Sequence, residues 1–476
     1  MDSSSVQIKV IFTTNEPDLQ LPEPKQQLLV PADIKRYGLS RILNSESMLD
    51  TSLPIPLDFL INGTFLRSSI QDYLAANGLS SETTLTLQYV RSLLPPAYQA
   101  TFQHDEWVSD VDVLSSTASA GKVAQDGPVN DRVATASYDG LVRIWNASGN
   151  TVAVSPAGRA GGHTRRINAV RWLSPSKLAS AGLDEKIVVW DYTEADDGSS
   201  SGSLKLNMEL WGHRKQVIAI SANASKKRIL TASSDGHVGF WTTSKSAAPQ
   251  ADPESLPSAF ISKRAKLSAA AGSTAQRGPL ALMPMHTQAV TAAIFHPNDA
   301  TVAYSASEDH TVKTIDLTTQ REVSRLTTLH PILCAAALPA TSLIAAGSSA
   351  RHVTLLDPRE SAAETATMTL RGHVNFVVSV APAPDNDYSL VSASWDGTCR
   401  IWDLRSVRPG TADEGGGRVS EPVYTIGREW LRGKKLPPAG EGVRVMAVEW
   451  DATWGIVSAG QDKKVQINNG KGLLGS

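Results

Sequence analysis

Two cysteines, Cys334 and Cys399, in 476 residues cannot build a disulfide framework. A basic field is lacking too: 45 Lys and Arg against 47 Asp and Glu leave a formal net charge of -2. No overall potential would draw the chain to nucleic acid, so any RNA contact has to come from a local patch. The N-terminal stretch MDSSSVQIKV has no apolar core of the kind a secretory signal needs, and no run approaches the ~18 apolar residues of a membrane span. These absences point to the reducing cytosol or the nucleus. Also missing are HExxH, CxxC and a glycine-rich phosphate loop, the short signatures of metal, redox and nucleotide chemistry. What is present is apolar content, 41% of the residues, enough for at least one large core. Length alone suggests about three ordinary domains, or one large repeat domain plus a small one.

The first ninety or so residues have their own pattern. Val6, Ile8, Val10 and Phe12 alternate with polar neighbours, the period of a half-buried strand, and a second strand is expected at Gln27 to Val30. A helix is expected from Pro31 and Asp33 onward, carrying Ile34, Leu39, Ile42 and Leu43. Asp58 to Ile61 and Thr64 to Leu66 flank Asn62-Gly63, a strong type I′ hairpin signal. Ser68 or Ser69 can cap a short helix bearing Ile70, Tyr73 and Leu74, and Gly78 ends it. Leu85 to Val90 is the last strand. Strand, strand, helix, strand, strand, short helix, strand is the order of a ubiquitin-like β-grasp. On the loop before the last strand, Glu82 stands alone among Ser80, Ser81, Thr83 and Thr84; its plain reading is a solvated carboxylate.

Beyond Leu93 to Pro96 one unit recurs. Its clearest copy runs from Arg371 to Leu404: Gly372-His373, an apolar run, a small-residue strand from Leu390 to Ser394, the turn Asp396-Gly397, then Ile401-Trp402-Asp403. Turn aspartates followed six positions later by an apolar or aromatic residue occur at Asp139/Trp145, Asp184/Trp190, Asp235/Trp241, Asp309/Ile315 and Asp396/Trp402, and weakly at Asp462/Asn468. A further copy at Ala350/Leu356 has lost its Asp, which makes seven. Successive turn positions lie about 41 to 74 residues apart, against ~40–45 for a four-stranded propeller blade, so the excess is insertion. His163, His213, His286, His330 and His373 each precede their turn position by about 20 to 23 residues; the seventh copy is expected to carry Glu441-Gly442 at that place.

This recurrence resembles the WD-repeat β-propeller family over roughly three-quarters of the chain. The fold expected is mainly β: a ubiquitin-like domain over residues 1–92, a linker over 93–97, and a seven-bladed propeller over 98–470 whose last blade borrows Tyr98 to Gln103 as its fourth strand. The resemblance implies that His163, Asp184 and Trp190, His213, Asp235 and Trp241, and His373, Asp396 and Trp402 are structural blade locks, with a hydroxyl such as Ser233 or Ser394 between His and Trp. That reading disfavours catalysis or metal binding by these histidines, because a buried His and carboxylate need such partners simply to be buried. Ser115 to Asn130, Thr243 to Pro279 and Ser406 to Pro422 are expected to be mobile surface loops. The longest carries Lys263, Arg264 and Lys266, a candidate nuclear-import cluster whose commoner role is a solvated loop.

A ubiquitin-like head before seven blades resembles the family of WD-repeat subunits of the pescadillo and block-of-proliferation complex; the notchless family shares the head but looks longer by a blade. The resemblance implies a non-catalytic nuclear, nucleolar and nucleoplasmic assembly factor of the pre-60S particle with no cofactor of its own. Its propeller would hold the block-of-proliferation protein, alongside pescadillo. Its head would dock on midasin, an AAA ATPase, where Glu82 would complete the shell of the partner's Mg²⁺, with Ser81, Thr83 and Thr84 orienting the loop. A propeller substrate receptor of a ubiquitin ligase is the reading from another class.

Overall fold

Ile8, Val10 and Phe12 project to one side of the first strand and are buried, while Gln7, Lys9 and Thr13 face out, so alternation in the sequence is alternation in space. This is a computed structural model of the chain, and it describes all residues except 1–5, 52, 124–128, 195–200, 257–274, 340, 360–365 and 470–476. The chain divides into two compact units. One runs up to Pro96 and takes in Asp403–Glu421; the other is Ala97–Trp402 with Pro422 onward.

In the first unit, β1 (Gln7–Thr13) pairs antiparallel with β2 (Gln27–Pro31) and parallel with β5 (Leu85–Arg91). β3 (Leu57–Ile61) and β4 (Thr64–Phe65) complete a sheet of order β2-β1-β5-β3-β4. Asn62 and Gly63 both have positive φ, 51° and 79°, as a type I′ turn requires. The first helix, α1 (Arg36–Leu43), begins later than the expected start because Pro31 is still the end of β2. The second, α2 (Ile70–Ala76), is closed by a reciprocal capping box between Ser69 and Asp72. Leu39, Leu43, Ile70 and Leu74 press onto Val10, Phe12, Phe59, Leu87 and Tyr89 to make this unit's core.

Asp403–Glu421, which holds all but the last residue of the loop expected over Ser406 to Pro422, corrects an expectation. Read as part of a mobile loop, it is instead ordered within the first unit: Val407 N–H donates to Gly63 O at 2.7 Å, and Phe65 N–H donates to Ser406 Oγ at 3.3 Å. Arg408 organises it, pairing with Glu414 and Glu421 at 2.8 Å across a two-strand hairpin. The Gly-rich composition serves left-handed turns at Gly415 to Gly417, not disorder.

The second unit is a ring of seven sheets. Blade six shows the plan: Val377–Pro382 innermost, then Ser389–Ser394, Cys399–Asp403 and Pro422–Ile426, each joined to the next. In blade seven, Val445–Asp451, Gly455–Gly460 and Lys464–Asn469 are followed in space by Ala97–Gln103, antiparallel with Lys464 opposite Gln103 and Asn469 opposite Ala97. The ring thus closes between strands from opposite ends of the repeat array, leaving each blade only a short outer edge. Burial pushes the Cys334 and Cys399 thiols up to about 12, which makes them packing residues.

Candidate functional site

The histidines, aspartates and tryptophans singled out in the sequence meet in three blades. In blade two, His163 Nδ1 lies 2.9 Å from Asp184 and its Nε2 lies 2.8 Å from Ser180 Oγ, which also accepts from Trp190 Nε1 at 2.7 Å. Blade three repeats this with His213, Asp235, Thr231 and Trp241, and blade six with His373, Asp396, Ser392 and Trp402 at 2.8, 2.7 and 2.8 Å. Blade four has His286, Asp309 and Ser305, but Ile315 supplies no indole. With Nδ1–H given to the carboxylate, Nε2 takes the hydroxyl proton and the hydroxyl oxygen takes the indole N–H. Every polar atom in the chain is used.

The electrostatics agree with that saturation. Burial opposes charge on Asp396 and Asp309, yet hydrogen bonds and the neighbouring His outweigh it and hold both carboxyls down to about 2. Burial pushes His373 and His286 below the usual imidazole value. A neutral imidazole with both nitrogens engaged has no lone pair for a metal and no room for a substrate proton.

The connecting hydroxyl is not the one expected. Ser233 and Ser394 sit two residues further on, where each Oγ accepts from the turn amide of Asp235 or Asp396 and donates to a carbonyl of the adjoining loop. They shape the turn; Thr231 and Ser392 carry the lock.

Blade seven departs further. In place of the expected Glu441-Gly442, Gly427-Arg428 occupies the position before the turn, and Arg428 donates to Asp462 at 2.7 and 2.8 Å and to Ser458 Oγ at 2.9 Å. Gln466 braces the same loop by accepting from Glu429 N–H at 2.9 Å. The guanidinium was hidden from the sequence reading because a long loop separates it from its turn. Blade five shows no lock among the described residues: His330 lies beside His352, with ring centroids 5.8 Å apart, and Ala350 offers no carboxylate. In blade one, Asp139 pairs with Arg143 at 2.7 Å, while His104 is buried against Trp145 with neither ring nitrogen bonded; burial pushes it down to about 3.

The innermost strands line a central cavity of about 500 Å³, apolar at Ile220, Ile294, Val378 and Met446. Towards one side lies a charged knot. Arg171 donates to Asp110, Trp172 N–H donates to Asp112, and Glu449 shares their field. Burial, then repulsion by Asp112, pushes the Glu449 carboxyl up to about 8 despite Arg171, and burial raises Asp112 to about 6. Among the described residues no group of three or more His, Cys, Asp or Glu is arranged to hold a metal.

Glu82 is elsewhere, exposed on the loop between α2 and β5. The loop is shaped by Ser80: Thr83 N–H donates to its carbonyl at 3.0 Å and Glu82 N–H to its Oγ at 3.3 Å. Ser81 and Thr84 are exposed and Thr83 half-buried. The Glu82 carboxylate has no hydrogen-bond or ion-pair partner among the described residues. Lys263, Arg264 and Lys266 lie outside the described residues.

Comparison with known proteins gives the family. Residues 8–74 match the NLE (NUC135) domain, and residues 97–146, 154–191, 204–242, 278–316 and 364–403 match the WD domain, G-beta repeat. The inner strands of blades five and seven, which lack the His–Asp–Trp set, fall outside those repeats. The WD40 β-propeller of Doa1 superposes with a TM-score of 0.52 at 18% identity, covering 79% of this chain and 97% of that one, a likeness of fold alone. Ribosome biogenesis protein YTM1 of Chaetomium thermophilum is 59% identical, with 98% of this chain and 97% of that protein aligned. Its counterpart in Neurospora crassa is also 59% identical, over 99% of this chain and 98% of that protein. With identity of this degree along its whole length, and an NLE domain ahead of seven blades, the chain belongs to the YTM1 family of ribosome biogenesis proteins.

Proposed function

We propose that the protein is a non-catalytic assembly factor of the large ribosomal subunit, acting in the nucleus and nucleolus, with its two units doing different work. The propeller anchors it to the block-of-proliferation protein, beside pescadillo, on pre-60S particles. The head carries Glu82 to the metal-dependent adhesion site of midasin, whose Mg²⁺ has a coordination position for a carboxylate supplied in trans.

The observation that carries this reading is the state of Glu82. A carboxylate held at the tip of a turn, solvent-facing and without an intramolecular partner, is ready to coordinate a hard cation that demands octahedral oxygen ligands. By contrast the conspicuous histidines of the propeller are saturated by their own blades. Seven blades also favour this assignment over a notchless-type factor with a longer array.

The test is binding of purified protein to the isolated midasin adhesion domain, with Mg²⁺ and with EDTA. Wild type binds only with Mg²⁺; Glu82→Ala and the shorter Glu82→Asp do not bind, while both still bind the block-of-proliferation protein. Undiminished binding by Glu82→Ala overturns the docking role. In cells, a chain lacking the head should accumulate on pre-60S particles; its clean release would contradict extraction by the ATPase.

A further inference from the structure

Blades three to six enter their innermost strands through about four to six residues, whereas in blade seven the same connection runs from Gly427 to Arg444. A propeller closes without this extra length, and elaborated loops on a rigid scaffold are where binding residues are carried. This one holds Trp430, Arg432, Lys434, Lys435 and Leu436, all at the surface.

Trp430 is 43% exposed yet fixed. Its Nε1 donates to Asp462 Oδ2 at 2.8 Å, and Lys464 Nζ lies 5.4 Å from the ring centroid. A large ring held rigidly in solvent is a stacking platform. Around it, Arg432 pairs with Glu429 at 3.2 Å, but Lys434, Lys435 and Lys464 meet no carboxylate among the described residues.

The loop folds back onto the turn of blade six, where Asn375 Nδ2 donates to Ala439 O at 3.1 Å. There a second aromatic group continues the surface. The Arg444 guanidinium lies 5.0 Å from the Trp395 ring, and Trp395 is tilted against Phe376 at 5.4 Å; Phe376 is 38% exposed. Arg444 Nε and Trp395 Nε1 are buried donors with no acceptor.

Rings interleaved with cations match a chain that alternates flat bases with phosphates. We propose that the blade-seven loop, continued by Arg444, Trp395 and Phe376, is a binding site for single-stranded RNA: Trp430 stacks a base, and Lys434, Lys435, Lys464 and Arg444 hold flanking phosphates. It is the local patch that a chain of net charge -2 needs for such a contact. The proposal is independent of the docking roles of Glu82 and the propeller anchor.

Fluorescence anisotropy with the purified full chain and a labelled single-stranded RNA of about twenty nucleotides tests it. Binding should weaken with salt at a log–log slope of roughly -2 to -3, as expected for three or four phosphates. Lys434→Glu/Lys435→Glu should weaken binding about tenfold or more and flatten the slope. Trp430→Ala should weaken it about five- to tenfold with the slope kept, and Trp430→Phe, which retains a ring, should recover most of the loss. An unchanged thermal midpoint shows that each variant is folded. Absence of binding by wild type at low salt, equal binding by the double variant, or capture of a polyglutamate peptide at this loop with none of the RNA would each overturn the proposal.

Discussion

Arg428 and Asp462 form an ion pair at 2.7 Å with both side chains only 2% exposed, in a blade where an arginine stands in the place of the lock histidine. The guanidinium also reaches Ser458 Oγ and Lys464 O, so it spans the middle strands of the closing blade. Replacing Arg428 by Met leaves a buried, unpaired carboxylate, and a loss of about 3–5 kcal/mol is expected. Urea unfolding checks this. Arg428→Met/Asp462→Leu should lose less than Arg428→Met alone, because the stranded charge is gone.

Ser392 and Ser394 separate the two jobs of a hydroxyl in one strand. Ser392→Ala leaves His373 Nε2 and Trp402 Nε1 without partners inside the blade, for an expected cost of about 2–5 kcal/mol over two buried groups. Ser394→Ala removes only turn bonds and should cost about 1 kcal/mol. If unfolding midpoints ranked the two variants the other way, the lock would have been assigned to the wrong residue.

His104 is a defect on the acid side. Its ring is buried and unbonded, and its value falls from 6.5 to about 3. Below pH 6.5 the unfolded chain therefore takes up a proton that the folded chain refuses. The stability is fully present above that pH and is lost progressively as pH falls towards 3. His104→Leu removes two unsatisfied nitrogens beside Trp145. It should stabilise the protein by on the order of 1 kcal/mol at pH 7 and by more at pH 5. A smaller gain at pH 5 than at pH 7 would contradict this account.

Glu449 works in the opposite sense. Its folded value is raised from 4.5 to about 8, so between those values the folded chain holds a proton that the unfolded chain has released. Stability from this group is present below pH 4.5 and declines as pH rises through 8. Glu449→Gln should abolish the decline, making the variant more stable than wild type at pH 8.5 and little different at pH 5. Parallel denaturant titrations at the two pH values measure it.

The sequence showed most of the architecture because the repeat has a covalent ruler. An Asp in a turn and a Trp six residues later sit at fixed places on one hairpin, the Trp paired with the strand that carries the connecting hydroxyl, so local spacing carries three-dimensional information. The same ruler fails where partners are far apart in the chain. Arg428 lies beyond a long loop from Asp462, and His104 has no turn carboxylate to betray it because Arg143, four residues from Asp139, has taken that acid. Ser392 and Ser394 share a strand face, so alternation could not choose between them. Asp403–Glu421 has the composition of a loose loop, and only the pairing of Arg408 with Glu414 and Glu421 reveals its order. Glu82 could be placed on a loop by its neighbours in the chain; its solvent-facing, unpartnered state belongs to the fold.

Blade seven is assembled from Ala97–Gln103 and Lys464–Asn469, strands made near the start and the end of the ring's synthesis. At ordinary translation speeds the first strand waits roughly twenty to seventy seconds for its partner. Through that interval the nascent chain shows two raw sheet edges, one on Ala97–Gln103 and one on whichever blade emerged last. A stalled or truncated message therefore yields no smaller propeller but a sticky, open arc. In a protein of this build the ring stays open until Lys464–Asn469 has been made.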